Sequence, residues 1–94
     1  MTLDQFKATL GDPSPPADCR PVLVALWHDA KGDWEAAHHV AQGIDDEDGA
    51  WVHAYLHRKE GDTGNAAYWY RRARQVIAKD SLPDEWDRIV RVLL

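Results

Sequence analysis

The apolar residues of this chain recur at the spacing of α-helices. Between Trp51 and Ala73 they form two helical runs, separated by Gly61 and Asp62, which favour a turn. This pattern predicts a helical hairpin at about residues 49–79. The hairpin also carries a dense group of aromatic side chains, and we expect the other elements to pack against it.

A second hairpin is predicted ahead of it, at about residues 21–44. Pro21 suits the first turn of a helix, and the apolar stripe of that helix runs as far as Gly32. Asp33 is suited to cap a further helix, whose apolar face continues to Ile44.

Shorter helices are predicted on both sides of the two hairpins. Thr2 and Gln5 fit a capping box at the start of a helix over residues 3–10, and the prolines that follow break helical structure. A proline near its first turn begins a final helix at about residues 82–93. The last residue of the acidic turn between the hairpins, Asp48, is suited to cap the second hairpin.

These elements predict an all-α fold, with two stacked antiparallel helical hairpins and flanking N- and C-terminal helices in one domain of residues 1–94. A chain of 94 residues has the size of a single core. Its formal net charge is −5, and residues 1–50 hold ten acidic and three basic side chains against six and eight in the remainder. An acidic chain argues against nucleic-acid binding.

The chain also shows no sign of export or membrane insertion. Its single cysteine, Cys19, cannot form an internal disulfide, and its first residues lack the basic start and apolar run of a secretory signal. No apolar run approaches the roughly 20 residues that cross a bilayer. We therefore expect a soluble, cytoplasmic protein without a membrane partner.

The two hairpins are related by an internal repeat. A shift of 29 positions aligns residues 25–33 with residues 54–62, and His28 then coincides with His57. The other coincident pairs are Ala25 with Ala54, Gly32 with Gly61, Asp33 with Asp62, and Ala37 with Ala66. Such a repeat indicates stacked helical units, each of which buries its apolar face against its neighbour.

These residues resemble the tetratricopeptide (TPR) class of repeats. The likeness lies in a small residue of the first helix, the Gly-Asp turn, and alanines along the second helix at Ala66 and Ala73. The period is shorter than the roughly 34 residues of that class, and histidines replace its usual aromatic at His28 and His57. The resemblance implies an interaction module that binds a protein or peptide in a groove lined by the first helices.

Two segments are also similar to a group of small, functionally uncharacterised bacterial proteins. They are residues 53–62 and residues 68–73. This resemblance implies a bacterial source and no particular activity.

Histidines supply the clearest candidate chemistry. His53 and His57 are four apart and share one helix face, Glu60 follows, and the repeat places His28 on the matching helix. Three imidazoles could hold a divalent metal such as zinc and leave a position open for water. Ala54 stands where a zinc-protease motif has its glutamate, so a hydrolytic reaction has no evident base. Alternatively, His28 and His57 are packing residues.

The second helix of the later hairpin carries an aromatic and basic cluster that includes Asn65, Tyr68 and Arg72. Such residues are common at binding hot spots and could stack on a peptide aromatic or bind a carboxylate. The structural alternative is an ordinary helix that buries one stripe and exposes its arginines. That predicted buried stripe consists of Ala66, Trp69, Tyr70, Ala73 and Ile77.

The sequence therefore predicts a small TPR-like module that binds a protein or peptide, with a homodimer as one way to extend its short stack. The predicted binding groove contains His28, His53, His57, Glu60, Asn65, Tyr68 and Arg72. The alternative prediction is a protein, an enzyme among the options, that binds a metal or small ligand through His28, His53 and His57.

Overall fold

Six α-helices and one short 3₁₀ turn make up the regular structure of the computed structural model, which describes all residues 1–94. The helices are α1 (Leu3–Ala8), α2 (Pro21–Ala30), α3 (Trp34–Gln42), α4 (Glu47–Glu60), α5 (Thr63–Ala73) and α6 (Leu82–Leu93), with the 3₁₀ turn at Thr9–Gly11. The predicted all-α class is confirmed. No helix combines the length and apolar character that crossing a bilayer requires.

Capping side chains begin five of the six helices, and α2 begins with Pro21 and has no side-chain cap. The Thr2 hydroxyl accepts from the Gln5 N–H at 3.1 Å, and Gln5 Oε1 accepts from the Thr2 N–H at 2.9 Å, which completes the predicted capping box. Asp33 accepts from the N–H of Ala36 at 3.0 Å and caps α3. Each bond satisfies a main-chain donor that the first turn of a helix leaves free.

The cap of α4 lies two residues earlier than predicted. Asp46 accepts from the N–H of Gly49 at 2.8 Å, while Asp48 is already helical and pairs with Arg20 at 2.8 Å. The backbone of Gly49 lies very close to Ile44, because a Cβ at position 49 would lie 2.3 Å from the carbonyl oxygen of Ile44. Only glycine fits there, so the turn closes tightly and the helix starts at once.

The internal repeat has a counterpart in the geometry of its two turns. Gly32 and Gly61 both have positive φ, +83° and +89°, and the aspartate after each glycine caps the next helix. The N–H of Asp33 bonds the carbonyl of His28 at 2.9 Å, and the N–H of Asp62 bonds that of His57 at 3.0 Å. The turns at repeat-equivalent positions therefore have the same construction.

Helix α4 is the centre of the fold. All nine residues of its central stretch, from Gly49 to His57, are buried, because α2, α3, α5 and α6 all contact this helix. A helix surrounded in this way should be apolar on every side. The two histidines at positions 53 and 57 are thus unusual members of the core.

Helix α5 ends at Ala73, six residues before the predicted end near Lys79. Arg74 takes the left-handed conformation with φ +58°, and the next N–H, of Gln75, bonds the carbonyl of Tyr70 at 3.0 Å. The predicted buried stripe therefore stops short, and Ile77 is 52% exposed. The chain then runs without regular structure to the start of α6, where Arg88 pairs with Asp80.

A buried carboxylate anchors α6 to the rest of the core. Glu85 is completely buried, and it accepts hydrogen bonds from Arg58 at 2.8 Å and from the Tyr70 hydroxyl at 2.6 Å. Its neighbour Trp86 donates its indole N–H to the carbonyl of Leu26 at 2.9 Å. These bonds connect α6 to α4, α5 and α2.

Candidate metal centre

Three histidines from two helices meet at one point of the structure. His38 of α3 and His53 and His57 of α4 each offer a ring nitrogen, and the three nitrogens lie within 4.8 Å of one another. The shortest separation joins Nε2 of His38 to Nε2 of His53, at 3.0 Å. We call these three residues the histidine triad.

Helix periodicity and one long-range bond bring the triad together. His53 and His57 are one turn apart on α4, and their rings stack with centroids 4.7 Å apart. On α3, Trp34 stacks in parallel on His38 at 4.8 Å. The indole N–H of Trp34 also donates to the carbonyl of Leu56 at 2.8 Å, which fixes α3 and its histidine against α4.

Helix α5 covers the other side of the triad. The Trp69 ring stacks on His53 with centroids 4.0 Å apart, and the guanidinium of Arg72 lies over Trp69 at 5.2 Å. His53 and His57 are each 7% exposed, while His38 is partly exposed. The triad is therefore sandwiched between two indoles and reaches solvent mainly through His38.

Burial favours the neutral form of two of these imidazoles, His38 and His53. Desolvation lowers the pKa of His53 from 6.5 to about 4, with further lowering by His57 and His38 nearby. Desolvation also lowers the pKa of His38, again assisted by His57. A neutral imidazole has a free lone pair on one ring nitrogen, which is the form that binds metal ions.

A carboxylate orients the third histidine. Glu60 Oε1 lies 2.6 Å from Nδ1 of His57, so this nitrogen carries the proton and the lone pair is on Nε2. Histidines that bind metals commonly donate their second ring N–H to a carboxylate in this way, because the bond fixes the ring and makes the free nitrogen a better ligand. Asp62 lies in the same neighbourhood of His57 and Glu60.

The structure brings together only some of the residues that the sequence suggested for a groove or a metal. His53, His57 and Glu60 are neighbours, but His38 occupies the place expected for His28. His28 is instead partly buried on α2, with its ring edge-on to the neighbouring Trp27 at 5.3 Å.

The remaining predicted groove residues lie on α5, outside the triad. Asn65 is exposed, and its N–H bonds the capping Asp62 at 3.2 Å. Tyr68 is 44% exposed and accepts a hydrogen bond from Arg72 at 3.1 Å. Tyr68 and Arg72 approach the triad only through Trp69, which contacts both of them.

His38 is the site residue that sequence reasoning missed. The repeat pairs it with Ala67, so internal symmetry gives no hint of it. A signal was nevertheless present, because His38 lies four residues after Trp34 and three before Ala41 and thus borders the apolar face of α3. Its ring could reach α4 only if that edge of α3 faced α4, which the sequence does not reveal.

The triad is not part of any cavity that would hold an organic molecule. Three cavities are present, and none is lined by a triad histidine. The nearest, of about 180 Å³, is bordered by Trp69, Arg72 and the acidic turn. The geometry of the triad suits an ion.

No protein-family model matches this chain, and the searches of curated proteins and of solved structures also found no match. Functional inference therefore depends on the geometry of the site.

Proposed function

We propose that this protein binds a transition-metal ion, with zinc as the best fit, through one ring nitrogen each of His38, His53 and His57. The observation that carries the proposal is the convergence of these three nitrogens within 4.8 Å. Around a tetrahedral Zn²⁺ with Zn–N bonds of about 2.0–2.1 Å, ligand nitrogens lie about 3.3 Å apart. The 3.0 Å between Nε2 of His38 and Nε2 of His53 is close to that separation.

The chemistry of the ligands selects the class of ion. Imidazole nitrogen suits zinc, copper, nickel and cobalt, whereas calcium and magnesium prefer oxygen ligands. The lowered pKa values of His38 and His53 favour neutral rings, each with one nitrogen free of a proton, so protons compete less with the ion. Glu60 supplies the orienting carboxylate that metal-binding histidines commonly have.

We infer a structural role for the ion. The triad connects α3 to α4, and α3 has only two fully buried residues of its own, Ala37 and Ala41. An ion shared by His38 and the α4 histidines would add a second link between these helices to the hydrogen bond from Trp34 to Leu56. The lack of a cavity at the triad favours this role over catalysis.

A calorimetric titration of the chelator-treated protein with Zn²⁺ tests the proposal. We expect one site per chain. His38→Gln should weaken binding by a factor of about 100 or more, because one of three protein ligands is lost. The matched control is His39→Gln, which changes an exposed histidine at the next position of the same helix and should bind as the native chain does.

Spectroscopy of the Co²⁺-substituted protein gives a second, independent readout. A tetrahedral site gives intense visible absorption, which should disappear in His38→Gln and persist in His39→Gln and His28→Gln. If the native chain takes up no metal, or if His38→Gln binds as well as His39→Gln, the triad is a packed aromatic cluster and the proposal fails.

The TPR-like interaction module predicted from the sequence remains an alternative proposal. It is supported by the half-exposed ring of Tyr68, beneath the guanidinium of Arg72 at 5.9 Å. Arg and Tyr are common at protein-binding hot spots. Tyr68→Ala should then weaken capture of a partner without changing the affinity for Zn²⁺, whereas equal capture by both forms would dismiss the role of this residue.

A further inference from the structure

The segment between α5 and α6 exposes aliphatic side chains. Residues 76–79 belong to neither helix nor strand, and we call them the docking strip. Val76 is 87% exposed and Ile77 is 52% exposed, so two consecutive β-branched side chains are exposed to solvent. Single exposed aliphatics are ordinary on a protein surface, but an adjacent pair on non-helical backbone indicates a contact surface.

The main chain of the docking strip is also unpartnered. None of the N–H and C=O groups of residues 76–79 takes part in a hydrogen bond within the chain. The ends of the segment are nevertheless fixed, because the N–H of Gln75 bonds Tyr70 and the carbonyl of Asp80 accepts from Arg58. Free donors and acceptors are thus held in place over four residues, about 13 Å of extended chain.

Two unpaired cations flank this strip in the sequence, although the whole chain is acidic. Arg71 precedes it and Lys79 is its last residue, and both side chains are exposed, whereas Arg72 bonds Tyr68 and borders the acidic turn. Arg71 and Lys79 have no carboxylate within ion-pair distance. Arg74 pairs with Glu47 at 3.2 Å, where both side chains are largely exposed and the pair is easily exchanged.

We propose that the docking strip binds an acidic, extended segment of a partner protein. Main-chain groups of residues 76–79 would pair with those of the partner as in strand addition, and Val76 and Ile77, on opposite faces of the extended chain, would each contact an apolar side chain of the partner. Arg71 and Lys79 would select carboxylates on the same segment. This surface is separate from the histidine triad and does not require a metal.

The same observations disfavour two other occupants. A second copy of the strip would bring the basic side chains of both copies together, and like charges oppose that pairing. Single-stranded nucleic acid binds largely by stacking its bases on aromatic rings, while the strip itself offers aliphatic side chains.

The test uses fluorescein-labelled acidic hexapeptides in which a central pair of Val, Ile or Leu residues is flanked on each side by two Glu residues, and it follows fluorescence anisotropy in the presence of a chelator. The native chain should bind at least one of them, more weakly as salt increases. A double variant, Val76→Ser with Ile77→Ser, should weaken binding about tenfold or more. The control is Val92→Ser, a valine that is 62% exposed at the far end of α6.

Two further comparisons separate charge from main-chain pairing. Arg71→Gln with Lys79→Gln should weaken binding and reduce its salt dependence, whereas Arg91→Gln, an exposed arginine near the end of α6, should not. A peptide that is N-methylated at alternate residues should lose at least tenfold in affinity, because it cannot donate to the strip.

Several outcomes would overturn the proposal. The first is that no hexapeptide binds, and the second is that the double variant binds the peptides as tightly as the native chain does. The third is that a uridine decamer binds more tightly than the peptides. A dimer in light scattering that dissociates on the double substitution would instead assign the strip to contact between copies.

Discussion

At the scale of single residues, one hydrogen bond decides which nitrogen of His57 is available. With Glu60 at Nδ1, the ring presents Nε2, and rotation of the ring would break a 2.6 Å contact. Glu60 itself is exposed at the end of α4, so its carboxylate adds little to the stability of the fold. Substitution of Glu60 should therefore change the affinity for metal more than the stability of the fold.

Glu60→Gln should lower the affinity for Zn²⁺ by about 10–100-fold and leave the free energy of unfolding of the metal-free chain nearly unchanged. Competition with a chromophoric chelator measures the affinity, and urea denaturation measures the stability. Glu35→Gln is the control, because Glu35 also acts on His38 through its charge but bonds no ring. If Glu60→Gln and Glu35→Gln weaken the binding of Zn²⁺ by the same factor, the negative charge of Glu60 supports binding and its hydrogen bond to His57 does not.

The positive φ angles at the ends of α4 and α5 give a second prediction for single residues. A substitution at one end should raise the free energy of unfolding, and a substitution at the other should lower it. Arg74 has φ +58°, where a side chain is strained, while Gly61 meets the same demand with φ +89°. Arg74→Gly should raise the free energy of unfolding by about 0.5–1 kcal/mol, and Gly61→Ala should lower it by about 1–2 kcal/mol.

Urea denaturation of both variants measures these changes. Arg74→Ala is the control, because it removes the exposed ion pair with Glu47 and keeps the backbone strain. A gain in Arg74→Ala equal to that in Arg74→Gly would show that the backbone is not the cause.

The sequence predicts part of the candidate site, and the residue that it misses is a single histidine, His38. The i and i+4 spacing of His53 and His57 places them on one face, and the sequence predicts this pair correctly. The third partner depends on the rotation of α3 about its axis. The repeat pointed to His28, but the bond from Trp34 to Leu56 turns α3 so that His38 meets the pair.

At the scale of elements, the starts of α1 and α3 were easier to predict than the end of α5, although the start of α4 was predicted two residues too late. The capping aspartate of α3 and the capping box of α1 are local, so the sequence alone predicts them. The end of α5 coincides with the left-handed Arg74, where the sequence has no glycine to signal the end of a helix. The apolar periodicity that continues to Ile77 therefore predicts a helix that is too long.

The docking of α6 leads to a prediction about the network at Glu85. Glu85→Ala should cost about 3–5 kcal/mol, because it leaves the Arg58 guanidinium without its buried partner. Tyr70→Phe removes one donor and should cost about 1–3 kcal/mol. Urea denaturation followed by tryptophan fluorescence measures both changes.

Asp84→Ala is the matched control for this network, because Asp84 is exposed one position earlier on α6. It should change the stability by less than about 0.5 kcal/mol. A similar loss in Asp84→Ala and Glu85→Ala would mean that charge in the first turn of α6 matters and the buried network does not.

At the scale of the whole molecule, the buried imidazoles connect folding to pH. In the unfolded chain His53 becomes protonated as the pH falls below its ordinary pKa of 6.5. In the folded chain its pKa is about 4, so it becomes protonated only near that pH. More protons are therefore bound by the unfolded state between these values, and stability falls as pH decreases. The lowered pKa of His38 acts in the same direction.

We therefore expect the metal-free chain to lose on the order of 2 kcal/mol of stability between pH 7 and pH 4.5. Urea midpoints measured at intervals across this range test the prediction. His53→Gln should flatten the profile. A native profile that is flat from pH 7 to 4.5 would contradict the inferred neutrality of His53 in the folded chain.

The 15 positions that separate His38 from His53 give the proposed metal centre a consequence for protein turnover. An ion bound to both closes a loop of the length for which a covalent cross-link stabilises a protein by about 3 kcal/mol. Unlike a disulfide, this cross-link exists only while the ion is bound. Because proteases degrade the opened chain, the cellular lifetime of the protein would rise and fall with the supply of metal, and its abundance would record that supply.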